Sequence, residues 1–169
     1  MSIPEIETER LFLCAPAQDD FDVYRRFYAD KVGSAAYGGP LNAEQAWRKL
    51  AYDIGHWTIR GFGMWSAYHK ESGNMVGGAG LVYPQGWPCP ELTWWITPDF
   101  RRQGLAMELS KAVIGFGYDH LEWDAVRTYM NDENIPARRL VEKLGGVVEK
   151  RRSFPDGLDR NIYILPQSS

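Results

Sequence analysis

Apolar and polar positions alternate from Ile6 to Leu13, which predicts a first strand. Asp19 and Asp20 precede Phe21, Tyr24, Phe27 and Tyr28, the spacing of a short helix capped by a carboxylate. A loop follows from Gly33 to Pro40. Asn42-Ala43-Glu44-Gln45 has the form of a capping box, because the amide can accept from the third helical N–H, so a second helix runs through Trp47 and Leu50 toward His56. The period then changes to two: Met64 to Tyr68, a turn at Glu71 to Asn74, and Met75 to Tyr83 read as a hairpin. After the breaker run Pro84 to Pro90, Glu91 to Thr97 forms another strand, stopped by Pro98.

Beyond Gly104, Leu105, Leu109, Ala112 and Phe116 recur at helical spacing and make one apolar stripe. A strand is expected from Ala125 to Met130. Pro136 suits the first turn of a last helix, in which Ala137, Leu140, Val141 and Leu144 share a face before Gly145-Gly146 ends it. A closing hairpin, Val147 to Phe154 and Asn161 to Leu165, turns at Pro155-Asp156-Gly157. The order of strand, two helices, three strands, helix, strand, helix and two strands predicts a mixed α/β fold with a largely antiparallel sheet.

At 169 residues the chain is expected to form one domain with a real core. Its 44% apolar and 24% charged residues exclude a disordered, collagenous or low-complexity chain. A net charge of −3 gives no general drive toward nucleic acid or an anionic membrane, so any phosphate site must be local. Charges at Glu5, Glu7, Glu9 and Arg10 oppose a signal peptide, and the longest uncharged stretch, Ser72 to Pro90, is too rich in Gly and Pro to span a bilayer. Cys14 and Cys89 are too few for a disulfide framework, and neither they nor His56, His69 and His120 have chelating spacing. No metal and a reduced, cytoplasmic setting are expected.

The most informative segment is Pro98-Asp99-Phe100-Arg101-Arg102-Gln103-Gly104-Leu105-Ala106, a basic loop that leaves a strand and opens an amphipathic helix. Unpaired N–H groups and the positive end of the helix dipole favour a pyrophosphate there, with Arg101 and Arg102 adding charge and Gly104 permitting close approach. The ordinary alternative is a solvated turn with a tight corner. No Walker-type spacing exists, and Gly77-Gly78-Ala79-Gly80 lacks dinucleotide-loop spacing, so those glycines mark a bulged or closely packed strand.

The chain resembles the GNAT N-acetyltransferases at this point. Arg101-x-x-Gly104-x-Ala106 fits their Arg/Gln-x-x-Gly-x-Gly/Ala loop, and Asn134 stands eleven residues before the glycine of Leu144-Gly145, a second family spacing. The resemblance covers nearly the whole chain, so residues 1–169 are expected to be a single acyl-CoA N-acyltransferase domain. It is nearest the RimJ/RimL-like branch through Thr8-Glu9-Arg10-Leu11, Gly86-Trp87-Pro88 before Glu91-Leu92, and Thr128-Tyr129-Met130-Asn131.

The resemblance implies a sheet splayed between the strands at 91–97 and 125–130, with the pantetheine arm of acetyl-CoA in the split and helices flanking it. Direct attack of an amine on the thioester needs proximity, a base and oxyanion support. Trp95, Ile96 and Thr97 would hold pantetheine through backbone groups, Arg101, Arg102, Gln103, Gly104, Leu105 and Ala106 the pyrophosphate, and Asn134 the cofactor or its sulfur. Glu91 is the implied base, against the ordinary alternative of an exposed carboxylate at a strand start. The tyrosine that often serves as the acid would fall at Val141, so Tyr129 or water is left for that role; packing in its strand is the other reading of Tyr129. Gly146 replaces the usual Phe, and Ala137 leaves no hydroxyl where some relatives carry Ser.

Tyr37, His56, Trp57, Trp65, Trp87, Trp94 and Trp95 concentrate aromatic surface before the cofactor loop; they either line an acceptor cleft or fill the core. Of these, Tyr37, His56, Trp57 and Trp94 are the expected acceptor contacts. The amine would belong to a small molecule, a peptide or a protein N-terminus. A non-catalytic acyl-CoA-binding regulatory module is the alternative, and an interaction domain with an unused loop a third. Homodimer formation through a sheet edge or helix stays open, since no coiled-coil stripe marks an interface.

Overall fold

The computed structural model describes residues 2–168. In chain order it contains β1 (Ile6–Glu7), β2 (Leu11–Cys14), α1 (Phe21–Ala29), α2 (Ala43–Arg60), β3 (Met64–His69), β4 (Met75–Val82), β5 (Glu91–Ile96), α3 (Leu105–Asp119), β6 (Val126–Tyr129), α4 (Ile135–Lys143), β7 (Val147–Ser153) and β8 (Asp159–Leu165). Strands β1 to β5 pair in sequence order and β6, β8 and β7 form a second sheet, every pair antiparallel. The fold is mixed α/β, with antiparallel strands flanked by four helices. No helix among the described residues is long and apolar enough to cross a membrane.

The first strand is not continuous from 6 to 13. It turns back at Thr8, whose hydroxyl accepts from the Leu11 amide at 3.1 Å, so Ile6 pairs with Leu13. Alternating hydrophobicity carries straight through such a turn, which is why the break is invisible in the pattern. Asp20 does not cap α1 through its side chain. Its carboxylate turns inward and accepts from Ala17 N at 2.8 Å, Ser66 Oγ at 2.6 Å and the Tyr68 hydroxyl. A buried carboxylate with three donors is a structural node.

Helix α2 starts as the capping box requires, with Gln45 N donating to Asn42 Oδ1 at 2.9 Å and Asn42 N donating to Gln45 Oε1 at 3.0 Å. It runs on to Arg60, one turn past the expected end, and buries Ala46, Leu50, Asp53 and Trp57. These recur at helical spacing, so the stripe facing the core contains one carboxylic acid. Helices α1 and α2 cover β3 to β5 from one side through Tyr24, Phe27, Leu50, Met64 and Trp95. Helix α3 buries Leu105, Leu109, Val113 and Ile114 in the larger core. Across from β4 at Gly77 and Gly80, backbone of the neighbouring strands leaves no room for a side chain, so this is the closely packed strand the glycines implied.

Candidate active site

Strands β5 and β6 run side by side without a hydrogen-bonded ladder, and the seam is held where Thr128 Oγ1 donates to the Leu92 carbonyl at 2.8 Å. Alternate residues of a strand paired on one side turn their backbone groups to the other. Thr97 N donates to Val76 O at 2.8 Å, which places the odd-numbered residues of β5 in the pairing with β4 and the even-numbered ones at the split. The residues offered to the split are therefore Trp94 and Ile96; Trp95 and Thr97 are used by β4, a correction to the expected contact set. The Trp95 ring is buried against Tyr24 and Phe27 at 5.1 and 4.6 Å.

All three carbonyls on this edge are covered. Leu92 accepts from Thr128, Trp94 from the Tyr37 hydroxyl, and Ile96 from Arg101 Nε at 3.3 Å. The edge is left with N–H donors and no uncommitted acceptor, which suits a ligand that brings carbonyl oxygens.

The loop before α3 has the same character. Gly104 is the N-cap with φ 78°, no side chain caps it, and the amides from Arg102 to Met107 have no acceptor outside the helix among the described residues. Arg102, also at positive φ, is exposed. Gln103 is exposed and donates from Nε2 to Asp99 O at 3.3 Å, while Leu105 is buried and Ala106 half-buried. The Arg101 guanidinium turns back toward Ile96 and Asp30, so it braces the end of β5.

Arg10, which no loop motif contains, holds this segment. Arg10 donates from Nε to Glu108 Oε2 at 2.7 Å, from its amide to Oε1 at 2.8 Å and from Nη1 to Gln103 O at 2.7 Å, and Thr8 Oγ1 donates to Glu108 Oε1 at 2.7 Å. The staple ties the β1–β2 turn to the start of α3 and places a guanidinium beside Gly104.

A cavity of about 930 Å³ joins the split to the space under α1 and α2. Glu91, Trp94, Tyr129, Asn134, Tyr37 and Asp53 are all on its wall. Burial pushes the Glu91 carboxyl up to about 8, against the opposite pull of the Tyr129 hydroxyl and the Arg160 guanidinium. An acid of that kind changes protonation near neutral pH, the condition a general base needs.

Tyr129 stacks on Trp87 at 5.8 Å and packs on Phe154 at 4.5 Å. Its buried hydroxyl acts on Glu91 but lies outside the geometry of a formed hydrogen bond, and it has no other partner among the described residues. Burial and the nearby Glu91 hold this phenol well above the usual tyrosine range. Asn134 caps α4, Oδ1 accepting from Ala137 N at 3.3 Å, which leaves its amide NH2 for a ligand. Cys89 is buried in the cluster of Tyr129 and Phe154, and burial raises its thiol further from the thiolate.

Two expected acceptor contacts are elsewhere. His56 is buried with both ring nitrogens occupied, Nδ1 at 2.7 Å from Phe62 O and Nε2 accepting from Tyr83 N at 2.8 Å. Trp57 is buried and donates from Nε1 to Met64 O at 2.7 Å. Neither lines the cavity, because both lie on the inner face of α2 toward the β3–β4 hairpin. Tyr37 and Trp94 do line it, and Trp87 joins them from the Pro84–Pro90 loop.

Position 141 lies on the core side of α4. Val141 is wholly buried, and a Cβ at Gly146 would come within 2.5 Å of its Cγ1. The two departures from the family pattern are thus one packing arrangement, a branched valine over a glycine. Asp53 also reaches the cavity, and its signal in the sequence is a carboxylate inside an apolar helical stripe.

The acetyltransferase (GNAT) domain pattern matches residues 10–147. A crystal structure of an acetyltransferase from Agrobacterium tumefaciens str. C58 superposes with a TM-score of 0.88 at 28% identity, covering 99% of this chain and 96% of that one. RimL, described as a ribosomal L7/L12 alpha-N-protein acetyltransferase, shares the fold with a TM-score of 0.77 at 12% identity over 95% and 93% of the two chains. The uncharacterized N-acetyltransferase YnaD of Bacillus subtilis (strain 168) is 27% identical over 55 residues, about a third of each chain (32% and 32%). With the domain pattern spanning most of its length, the chain belongs to the GNAT acetyltransferase family.

Proposed function

We propose that the protein transfers an acetyl group from acetyl-CoA to a primary amine bound in the cavity, with Glu91 as the base. The observation that carries this reading is the meeting of two features in one cavity. A strand edge stripped of free carbonyls receives the acyl arm, and a carboxyl held near neutral pKa stands beside it.

The residues present fit acetyl-CoA, which supplies the acyl group as an activated thioester. The uncapped amides from Arg102 to Met107, with Gly104 at positive φ, suit the pyrophosphate, and Arg10 and Arg102 add charge. Trp94 and Ile96 offer outward N–H groups that suit amide and thioester carbonyls. Asn134 offers its remaining N–H donors from the opposite side of the split.

Glu91 takes the ammonium proton and frees the amine lone pair for attack. Tyr129, unpartnered and beside Glu91, passes a proton to the departing sulfur as protonated Glu91 returns one to the phenol, and the second proton of the attacking nitrogen leaves through the regenerated Glu91 carboxylate to solvent. Of the two protons the ammonium loses, one ends on the thiol and one in solvent, and no residue at position 141 is needed. Burial and the nearby Glu91 keep the Tyr129 phenol protonated until the sulfur departs.

The cavity's aromatic walls favour the amine of a small molecule over a folded protein surface, while a peptide or protein N-terminus is the other acceptor the fold accommodates. The competing reading is a non-catalytic acyl-CoA-binding module, motivated by the valine at 141. Calorimetric titration with acetyl-CoA, compared with an Arg101→Ala/Gly104→Glu variant, tests the cofactor site. Loss of binding in the variant is expected; tight binding with no amine-dependent thiol release would favour the module.

A further inference from the structure

We propose that Asp53 is a second cation-binding site within the acceptor cavity, so that the acceptor is a small diamine or polyamine held at one end by Asp53 while its other amine meets Glu91. This deepens the transferase reading and rests on it. Asp53 is 8% exposed, stands in the buried stripe of α2 and opens on the same cavity as Glu91. Its Oδ2 accepts from the Tyr24 hydroxyl at 2.6 Å, and no other hydrogen bond or ion pair reaches the carboxyl among the described residues.

A carboxyl left with one neutral donor in such a place is costly unless a cation completes it. Burial holds it at about 7 against the opposite pull of the Tyr24 hydroxyl and of the Lys49 ammonium one turn away, so it ionises readily when a second positive charge arrives.

The charges facing the cavity decide the sign of the ligand. Arg48 is paired with Glu44 at 2.6 Å and Arg160 with Asp156 at 2.6 Å. Lys49, one turn before Asp53, is the cation of the wall without an ion-pair partner among the described residues, and its Nζ lies 5.8 Å from the Tyr28 ring. Against it stand Glu133, exposed at the rim, and, once ionised, Asp53 and Glu91. The uncommitted charge is therefore net negative once either of these two carboxyls is ionised. Tyr52, close enough to both Asp53 and Glu91 to be influenced by each, lies in the same wall with Tyr28 and Trp87, and aromatic faces hold methylene chains and ammonium groups alike.

The test compares 1-aminopentane with 1,5-diaminopentane in thiol release from acetyl-CoA, and titrates the diamine directly by calorimetry. The expected result is a KM about tenfold lower for the diamine, a preference that Asp53→Asn removes. Asparagine can still accept from Tyr24. Tyr24→Phe, which deletes the hydroxyl and leaves the carboxyl, keeps the preference; a merely structural Asp53–Tyr24 tie would make the two variants behave alike. Monoamine turnover without diamine preference, or an Asp53→Asn variant that binds the diamine as wild type does, overturns the Asp53 site and leaves the transferase reading standing. Absence of thiol release with every amine overturns the transferase reading, and the calorimetric comparison still decides Asp53.

Discussion

The Tyr37 hydroxyl donates to the main-chain carbonyl of Trp94, so the loop between α1 and α2 closes one acceptor on the free edge of β5. This contact links the acceptor side of the cavity to the strand that faces the split. Tyr37 is itself buried enough that its phenol is held well above the usual range, with Glu91 adding to the effect, so the donor is protonated at every working pH.

Tyr37→Phe leaves the half-buried Trp94 carbonyl without its donor, a loss of about 1 kcal/mol or somewhat more. A chain of this size loses about 2–4 °C of Tm per kcal/mol. The expected outcome is a Tm a few degrees lower and a raised KM for acetyl-CoA, read by thermal denaturation and steady-state kinetics. A variant with unchanged Tm and KM would show that the contact does not shape the edge.

The Arg10–Glu108 staple predicts a cofactor defect from a residue outside the loop motif. Removing one charge-assisted pair that positions Gln103 and Gly104 costs on the order of 1.5 kcal/mol, so Arg10→Ala weakens acetyl-CoA binding about tenfold. Calorimetry checks this. Affinity equal to wild type would mean the loop holds its shape unaided.

Protonation of Glu91 gives a pH dependence of known sign. Its folded pKa, about 8, lies above the ordinary 4.5, so between those values the native state keeps a proton that the unfolded chain has released. That contribution is complete below about 4.5 and is lost as pH rises through about 8. Glu91→Gln is therefore expected to flatten the decline of Tm with pH and to exceed wild type in Tm above pH 8. Parallel curves for the two proteins would contradict a Glu91 carboxyl raised by its surroundings.

Val141→Tyr, which restores the family's tyrosine in sequence, is expected to destabilise by about 1–3 kcal/mol through overpacking and to yield no faster turnover. Position 141 faces the core above Gly146. Denaturant unfolding and kcat check both halves; a faster variant would place the acid on α4 after all.

Element order, the α2 capping box and the glycine turn that opens α3 were legible because each is written locally, in periodicity, caps and glycine placement. The break at Thr8 was not, since alternation survives a turn that is fixed by Arg10 and Glu108, 98 positions apart. His56 and Trp57 looked like pocket residues because aromatic and imidazole groups are common there; their hydrogen bonds to Phe62, Tyr83 and Met64 depend on where the β3–β4 hairpin folds back. Which face of β5 meets the split follows from the pairing register, which no residue in the segment 91–97 announces.

The central claim, amine acetylation with Glu91 as base, is tested most directly by thiol release from acetyl-CoA across pH 6 to 9 for wild type and Glu91→Gln. The account predicts amine-dependent release that rises with pH through about 8 and falls about 10²- to 10⁴-fold in the variant. Acetyl-CoA binding with no amine-dependent release, or a variant that keeps the wild-type rate and profile, would contradict it.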